Sequence, residues 1–114
     1  MRVTTDLWAS ALVRRVFGSG GFAAILKRGS GEAGAAFVLV RDRFGEVVLY
    51  GPAPQTSYDS ARPDERLFTR MGDGETVELL EARIEREKRF DPDIWVLEIE
   101  TGALPVEELV PIKG

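Results

Sequence analysis

The chain has 114 residues, of which 44% are hydrophobic and 30% are charged, and its formal net charge is -4. This length and composition predict one globular domain over 1–114 whose core needs no cross-links. The chain contains neither Cys nor His. Their absence excludes disulfides, thiol nucleophiles, and the commonest general base and nitrogen metal ligand. We therefore expect no metal, no cofactor and no catalytic residue.

The sequence also carries no membrane or export signal that we can identify. No apolar run approaches the ~20 residues that span a bilayer. The N-terminus lacks the basic and apolar regions of a signal peptide, so we expect a cytoplasmic protein without membrane contacts.

The charge is distributed unevenly along the chain. Residues 1–43 carry seven basic and three acidic side chains, whereas 44–114 carry eight basic and sixteen acidic ones. Either the two halves pair part of this charge when they fold together, or a basic patch binds an anionic ligand or RNA. Such a patch would consist of Arg14, Arg15, Lys27 and Arg28. The net negative charge argues against general nucleic-acid binding.

The first predicted element is an amphipathic helix near 5–17. Its apolar stripe repeats every fourth residue, as on a helix with one buried face. We expect Thr5 or Asp6 to cap its start and the glycine-rich segment 18–21 to end it. The next apolar run, 22–28, we interpret as a strand beside the central hairpin, with a helix as the alternative.

The segment 35–50 predicts the central β-hairpin. Asp42 and Gly45 occupy the first and fourth positions of a type I turn, whose glycine supplies a positive φ in a following bulge. The resulting register pairs Val38 with Tyr50 and leaves both faces of the hairpin apolar. We therefore expect the arms to lie in the middle of a sheet that is covered on both faces.

A polar, proline-rich loop follows over 51–63. Long loops are often functional, and this one carries Gln55 and Tyr58 as possible ligand contacts. A short outer strand is predicted near 66–71, and a second amphipathic helix near 75–90, capped by Asp73 or Thr76.

The most distinctive chemistry lies between this helix and a strand predicted over 94–100. Pro92 forces its predecessor out of the helical region, and Asp91 and Asp93 flank it. These carboxylates could bind a divalent cation or a basic group, or simply accept hydrogen bonds from turn N–H groups. The partly irregular tail, 101–114, is apolar enough that either the domain or a neighbouring chain should cover it.

Several stretches resemble a family of short, uncharacterised alphaproteobacterial proteins that is classed as a domain of unknown function. The most specific stretch is the Phe-Asp-Pro-Asp-Ile-Trp motif at 90–95, and the others are 6–15, 20–29, 32–34 and 49–55. The resemblance covers nearly the whole chain. It implies no activity, cofactor or functional residue, because none is assigned to the family.

Together these features predict an α+β fold: a mostly antiparallel sheet of four or five strands around the hairpin, with two helices. With both helices on one face, the other face or the tail would need a cover, and a second copy related by two-fold symmetry would supply it.

Three functions follow as hypotheses. The first is a self-associating interaction or accessory module without catalytic activity. The second is a carboxylate site at Asp91 and Asp93 that acts on a polar or phosphorylated small molecule, together with Arg14, Arg15 or the Gln55–Tyr58 loop. The third is binding of an anionic ligand or RNA by the basic patch.

Overall fold

The structure is a computed structural model that describes residues 4–53, 66–72 and 76–112. Within these residues the chain forms a five-stranded sheet and three helices. Their order is α1 (Thr5–Gly18), β1 (Phe22–Lys27), β2 (Ala36–Arg41), β3 (Val47–Pro52), β4 (Phe68–Gly72), α2 (Val77–Phe90), β5 (Trp95–Glu100) and α3 (Val106–Leu109). None of the described helices is long and apolar enough to cross a membrane.

The strands lie in the order β1-β5-β2-β3-β4. Every neighbouring pair is antiparallel except β2 and β5, which run parallel. The predicted α+β class with a mostly antiparallel sheet is confirmed.

The central hairpin has the predicted turn and register. Gly45 adopts φ +85°, and its N–H donates to the Asp42 carbonyl at 3.1 Å. The Asp42 carboxylate accepts from the N–H groups of Phe44 and Glu46 at 2.8 and 3.0 Å. Val38 pairs with Tyr50, as the turn geometry requires.

Strand β5 takes a position that the sequence does not predict. It inserts between β1 and the hairpin, so β1 is a strand as expected but pairs with β5 instead of with the hairpin. Trp95 and Leu97 are buried on one face of the sheet, while Ile94 and Val96 are buried on the other. A strand end that is apolar on both faces buries the most apolar surface in the middle of a sheet. Strand β1 buries little beyond Ala23, as is typical of an edge strand.

The two long helices cover opposite faces of the sheet. Helices α1 and α3 pack on one face, and α2 packs on the other. Both β4 and β5 run parallel to β2, so α2 is the crossover between two parallel strands, and a right-handed crossover carries it to a defined face. The hairpin is therefore covered on both faces by its own chain, and an arrangement with both helices on one face is wrong.

The start of α1 differs from the prediction by one residue. Thr4 is the N-cap, and its hydroxyl accepts from the Leu7 N–H at 3.2 Å. Thr5 is fully buried instead, and its hydroxyl donates to the Gly34 carbonyl at 2.9 Å. Helix α2 is capped by Thr76, one of the two predicted residues.

The tail packs against its own domain. Leu109 and Val110 are buried in the core beneath α1, and the Pro111 carbonyl accepts from the Phe68 N–H at 2.8 Å. Ile112 forms a parallel bridge with Phe68, so the tail adds to the β4 edge. Up to Ile112, the apolar residues of the tail are therefore covered by its own domain.

Replacing Gly45 by Ala should destabilise the protein by about 1–2 kcal/mol, because a Cβ is unfavourable at a left-handed φ. No atom lies within 4 Å of where that Cβ would be, so the cost comes from the backbone alone. The free energy of unfolding, measured by urea titration, tests this. Gly31→Ala is the matched control, because its Cβ would also meet open space and its φ is not left-handed. A destabilisation above ~0.5 kcal/mol there would contradict the argument.

Candidate functional site

Asp91 and Asp93 belong to a turn that joins α2 to β5. The Asp91 carboxylate accepts from the Asp93 N–H at 3.0 Å, and the Asp91 N–H donates to the Glu87 carbonyl at 2.8 Å. This is the Asx-type bond expected where a helix stops before a proline. The Asp91 side chain thus has a structural partner within its own turn.

The same turn is hydrogen-bonded to the end of β1 and the residues that follow it. The Asp93 carbonyl accepts from the Ser30 N–H at 2.9 Å, and the indole N–H of Trp95 donates to the Ser30 carbonyl at 2.7 Å. The Lys27 ammonium donates to the carbonyls of Pro92 and Ile94 at 2.6 and 3.0 Å. The motif at 90–95 is therefore anchored by backbone and side-chain bonds to 27–30.

The other predicted ligand-binding residues do not meet these carboxylates. Arg14 and Arg15 lie near the end of α1, where the Ser19 carbonyl accepts from the Ala103 N–H beyond the far end of β5. The six residues of β5 separate the two sites, a length of roughly 20 Å. Gln55 and Tyr58 fall outside the described residues. Within the described ranges, no group of three or more acidic side chains is placed to hold a metal ion.

The four cations of the proposed basic patch are also divided. The Lys27 ammonium is hydrogen-bonded to backbone carbonyl groups. Arg28 forms an ion pair with Asp6 at 3.4 Å and lies 5.5 Å from the centre of the Trp95 ring. The Arg28–Asp6 ion pair lies at the start of α1. Arg14 and Arg15 lie more than two helical turns further along, so the four residues do not form one contiguous patch.

Two adjoining clefts lie at the end of the sheet opposite the Asp91–Asp93 turn, where the parallel strands β2 and β5 both end. Their volumes are about 310 and 670 Å³, and both are lined by Asp42, Arg43 and Thr101. Ligands of open α/β sheets bind at such carboxyl ends. Arg41 forms an ion pair with Glu98 at 3.0 Å beside the smaller cleft, and the lining carries both signs of charge. This balance favours neither an anion nor a cation.

The most distinctive surface is the outer edge of β1, which we call the β1 edge and define as Phe17 and 22–26. Phe17, Phe22 and Leu26 are 51%, 47% and 54% exposed, and the two phenylalanine rings meet edge to face with their centroids 5.7 Å apart. None of 22–26 is charged or proline. Within the described residues, no strand pairs with β1 on its outer side.

The β1 edge is absent from the sequence-based predictions, although the sequence contains a signal for one part of it. Phe17 lies outside the stripe of α1 that is buried, and a large apolar residue off that stripe indicates exposure. The exposure of 22–26 depends on the strand order, which the sequence does not show.

Replacing Asp91 by Ala should cost about 1 kcal/mol of unfolding free energy, because the turn loses an acceptor for the Asp93 N–H. Asp93→Ala is the matched control and should change stability by less than ~0.5 kcal/mol, since the bonds of Asp93 are made by its backbone. Urea titration measures both. Equal losses, or a melting temperature of the unmodified protein that rises with Mg²⁺ or Mn²⁺, would instead favour a paired carboxylate site.

Comparison with known proteins extends over nearly the whole chain. The sequence matches the family described as "Protein of unknown function (DUF1491)" over residues 3–105. It matches no curated protein.

Three solved structures have the same fold. The solution structure of protein Atu0922 from A. tumefaciens is 46% identical, covers 98% of this chain and 95% of its own, and superposes with a TM-score of 0.83. A crystal structure of a DUF1491 family protein from Caulobacter crescentus CB15 is 33% identical with full coverage of both chains and a TM-score of 0.79. An NMR structure of a DUF1491 family protein from the same organism is 32% identical, covers 100% of this chain and 99% of its own, and has a TM-score of 0.80.

The predicted resemblance to a domain of unknown function is thereby confirmed, and this chain belongs to the DUF1491 family, to which no function is assigned.

Proposed function

We propose that this protein is a small, non-catalytic cytoplasmic interaction module that associates with copies of itself through the β1 edge. The observation that carries the proposal is an apolar strand edge at the surface of an otherwise well-covered sheet. Exposed edges that lack charge and proline are the parts of a sheet most prone to pair with another chain.

The two edges of the sheet differ in a way that supports this proposal. At β4 the tail forms a bridge to Phe68, and Arg70 lies within the strand. At β1 the register with β5 shifts between Ile25 and Lys27, so a bulge at Leu26 limits regular pairing of this edge to 22–25. The β4 edge is thus partly covered and carries a charge, whereas the β1 edge is regular and uncharged over 22–25.

The uncovered area extends onto one face of the sheet. Ala23 and Ile25 join the core beneath α1, so Phe22, which alternates with them, projects from the face that α2 covers elsewhere. Helix α2 packs over β2, β3 and the start of β5 and leaves Phe22 exposed, and Leu26 at the bulge is exposed as well. Burying each of these two side chains would contribute part of the roughly 1.5–3 kcal/mol typical of a large apolar side chain.

The alternative functions have weaker geometric support. A carboxylate site would need Asp91 and Asp93 to converge with Arg14 or Arg15, and β5 separates them. An RNA-binding face would need four cations on one surface, and two of them are paired or bonded elsewhere.

The test is the molar mass in solution, measured by light scattering over a range of concentrations. The unmodified protein should run above its monomer mass of 12.6 kDa, and Phe22→Glu should weaken association at least tenfold, because it places a charge where two edges would meet.

Leu79→Glu is the matched control. Leu79 is 57% exposed and lies in the first turn of α2, which follows β4 at the opposite edge of the sheet from β1, so a glutamate there should leave association unchanged. A monomer at every concentration would contradict self-association, and an equal effect of both variants would contradict the assignment to β1.

A further inference from the structure

We infer that two copies pair β1 with β1 in one defined antiparallel register, with Ala24 facing Ala24 of the second copy across a two-fold axis. The inference deepens the proposed self-association, on which it rests, by specifying the interface. It follows from which backbone groups of β1 are free and which side chains would meet.

The hydrogen-bond pattern of β5 fixes which residues of β1 point outward. The Trp95 N–H donates to the Ala35 carbonyl at 2.8 Å, so Trp95 and every second residue after it bond towards β2. The intervening residues of β5, including Glu98 and Glu100, therefore bond towards β1.

Glu98 and Glu100 are the partners of Ala24 and Phe22 in the register of β1 with β5. Phe22 and Ala24 thus use their backbone groups inside the sheet. Ala23 and Ile25 direct their N–H and C=O groups outward, away from β5.

Only a two-fold axis at Ala24 lets the outward N–H and C=O groups of both Ala23 and Ile25 form hydrogen bonds with the second copy. It places Ala23 of each copy opposite Ile25 of the other, and each such pair can exchange both of its hydrogen bonds. An axis at Ala23 would oppose Ile25 to Gly21, whose N–H already donates to the Val16 carbonyl at 2.9 Å. An axis at Ile25 would oppose Ala23 to Lys27, which pairs inward with Val96.

The same axis also makes the side chains complementary. The axis brings Phe22 next to the bulge at Leu26 of the second copy, so the two most exposed large side chains of the strand lie close to each other. On the opposite face the small Ala23 meets the larger Ile25. At the centre of the interface, therefore, no two large residues face each other.

Charge does not oppose this pairing. The strand has no charge between Phe22 and Leu26, so no like charges meet at its centre.

The absence of cysteine from the chain permits a direct test of the register. Ala24→Cys places a thiol at a non-hydrogen-bonded antiparallel pair, where Cα atoms are about 4.5 Å apart, within the range that a disulfide spans. We expect the oxidised full-length variant to run as a covalent dimer on a non-reducing gel. Ala23→Cys and Ile25→Cys alone should cross-link at least tenfold less, since neither residue would face its own copy.

Two further measurements separate the possible failures. Adding Phe22→Glu to Ala24→Cys should abolish the covalent dimer, because the cross-link depends on association. If the unmodified protein is dimeric by light scattering but Ala24→Cys does not cross-link preferentially, the register is wrong and self-association stands. If the unmodified protein is monomeric, the inference and the proposed self-association are both wrong.

Discussion

The parallel pairing of β5 with β2 is the constraint on which the rest of the structure depends. It brings the next-to-last regular element of the chain into the middle of the sheet, displaces β1 to an edge, and forces the connection from β4 to cross a face. That crossing carries α2, which buries Leu80 and Ile84 against the hairpin. One strand placement therefore determines both the coverage of the core and the location of the exposed edge.

The segments around β5 are organised to hold it in this position. Before the strand, Lys27 and Ser30 bond to the turn at 91–94, and a Cβ on Gly34 would collide with the Asp93 carbonyl. Buried Thr5 ties α1 to the same glycine through its carbonyl. Several of these contacts involve the segment at 90–95 on which the resemblance to the family rests, and this segment has a clear structural role in anchoring the central strand.

Local features of the fold could be predicted from the sequence, whereas long-range ones could not. The hairpin register follows from Asp42, Gly45 and the alternation of the arms, all within one short segment. Both long helices follow from their periodicity. The position of β5 depends on pairing with a strand more than fifty residues away, and an apolar pattern shows that a strand is buried without showing which neighbour it has. Which helix covers which face depends on that same strand order, so it could not be predicted either.

In the candidate site, too, local features could be predicted from the sequence and long-range ones could not. Asp91 and Asp93 could be identified as unusual from their proline, but their turn bonds depend on how the helix ends. The β1 edge required knowledge of strand order, since the same residues in mid-sheet would be core. The central strand also has a consequence for biosynthesis. Until residues 95–100 leave the ribosome, β1 lacks its partner strand and the hairpin lacks its parallel neighbour, so the sheet cannot be completed before those residues are available.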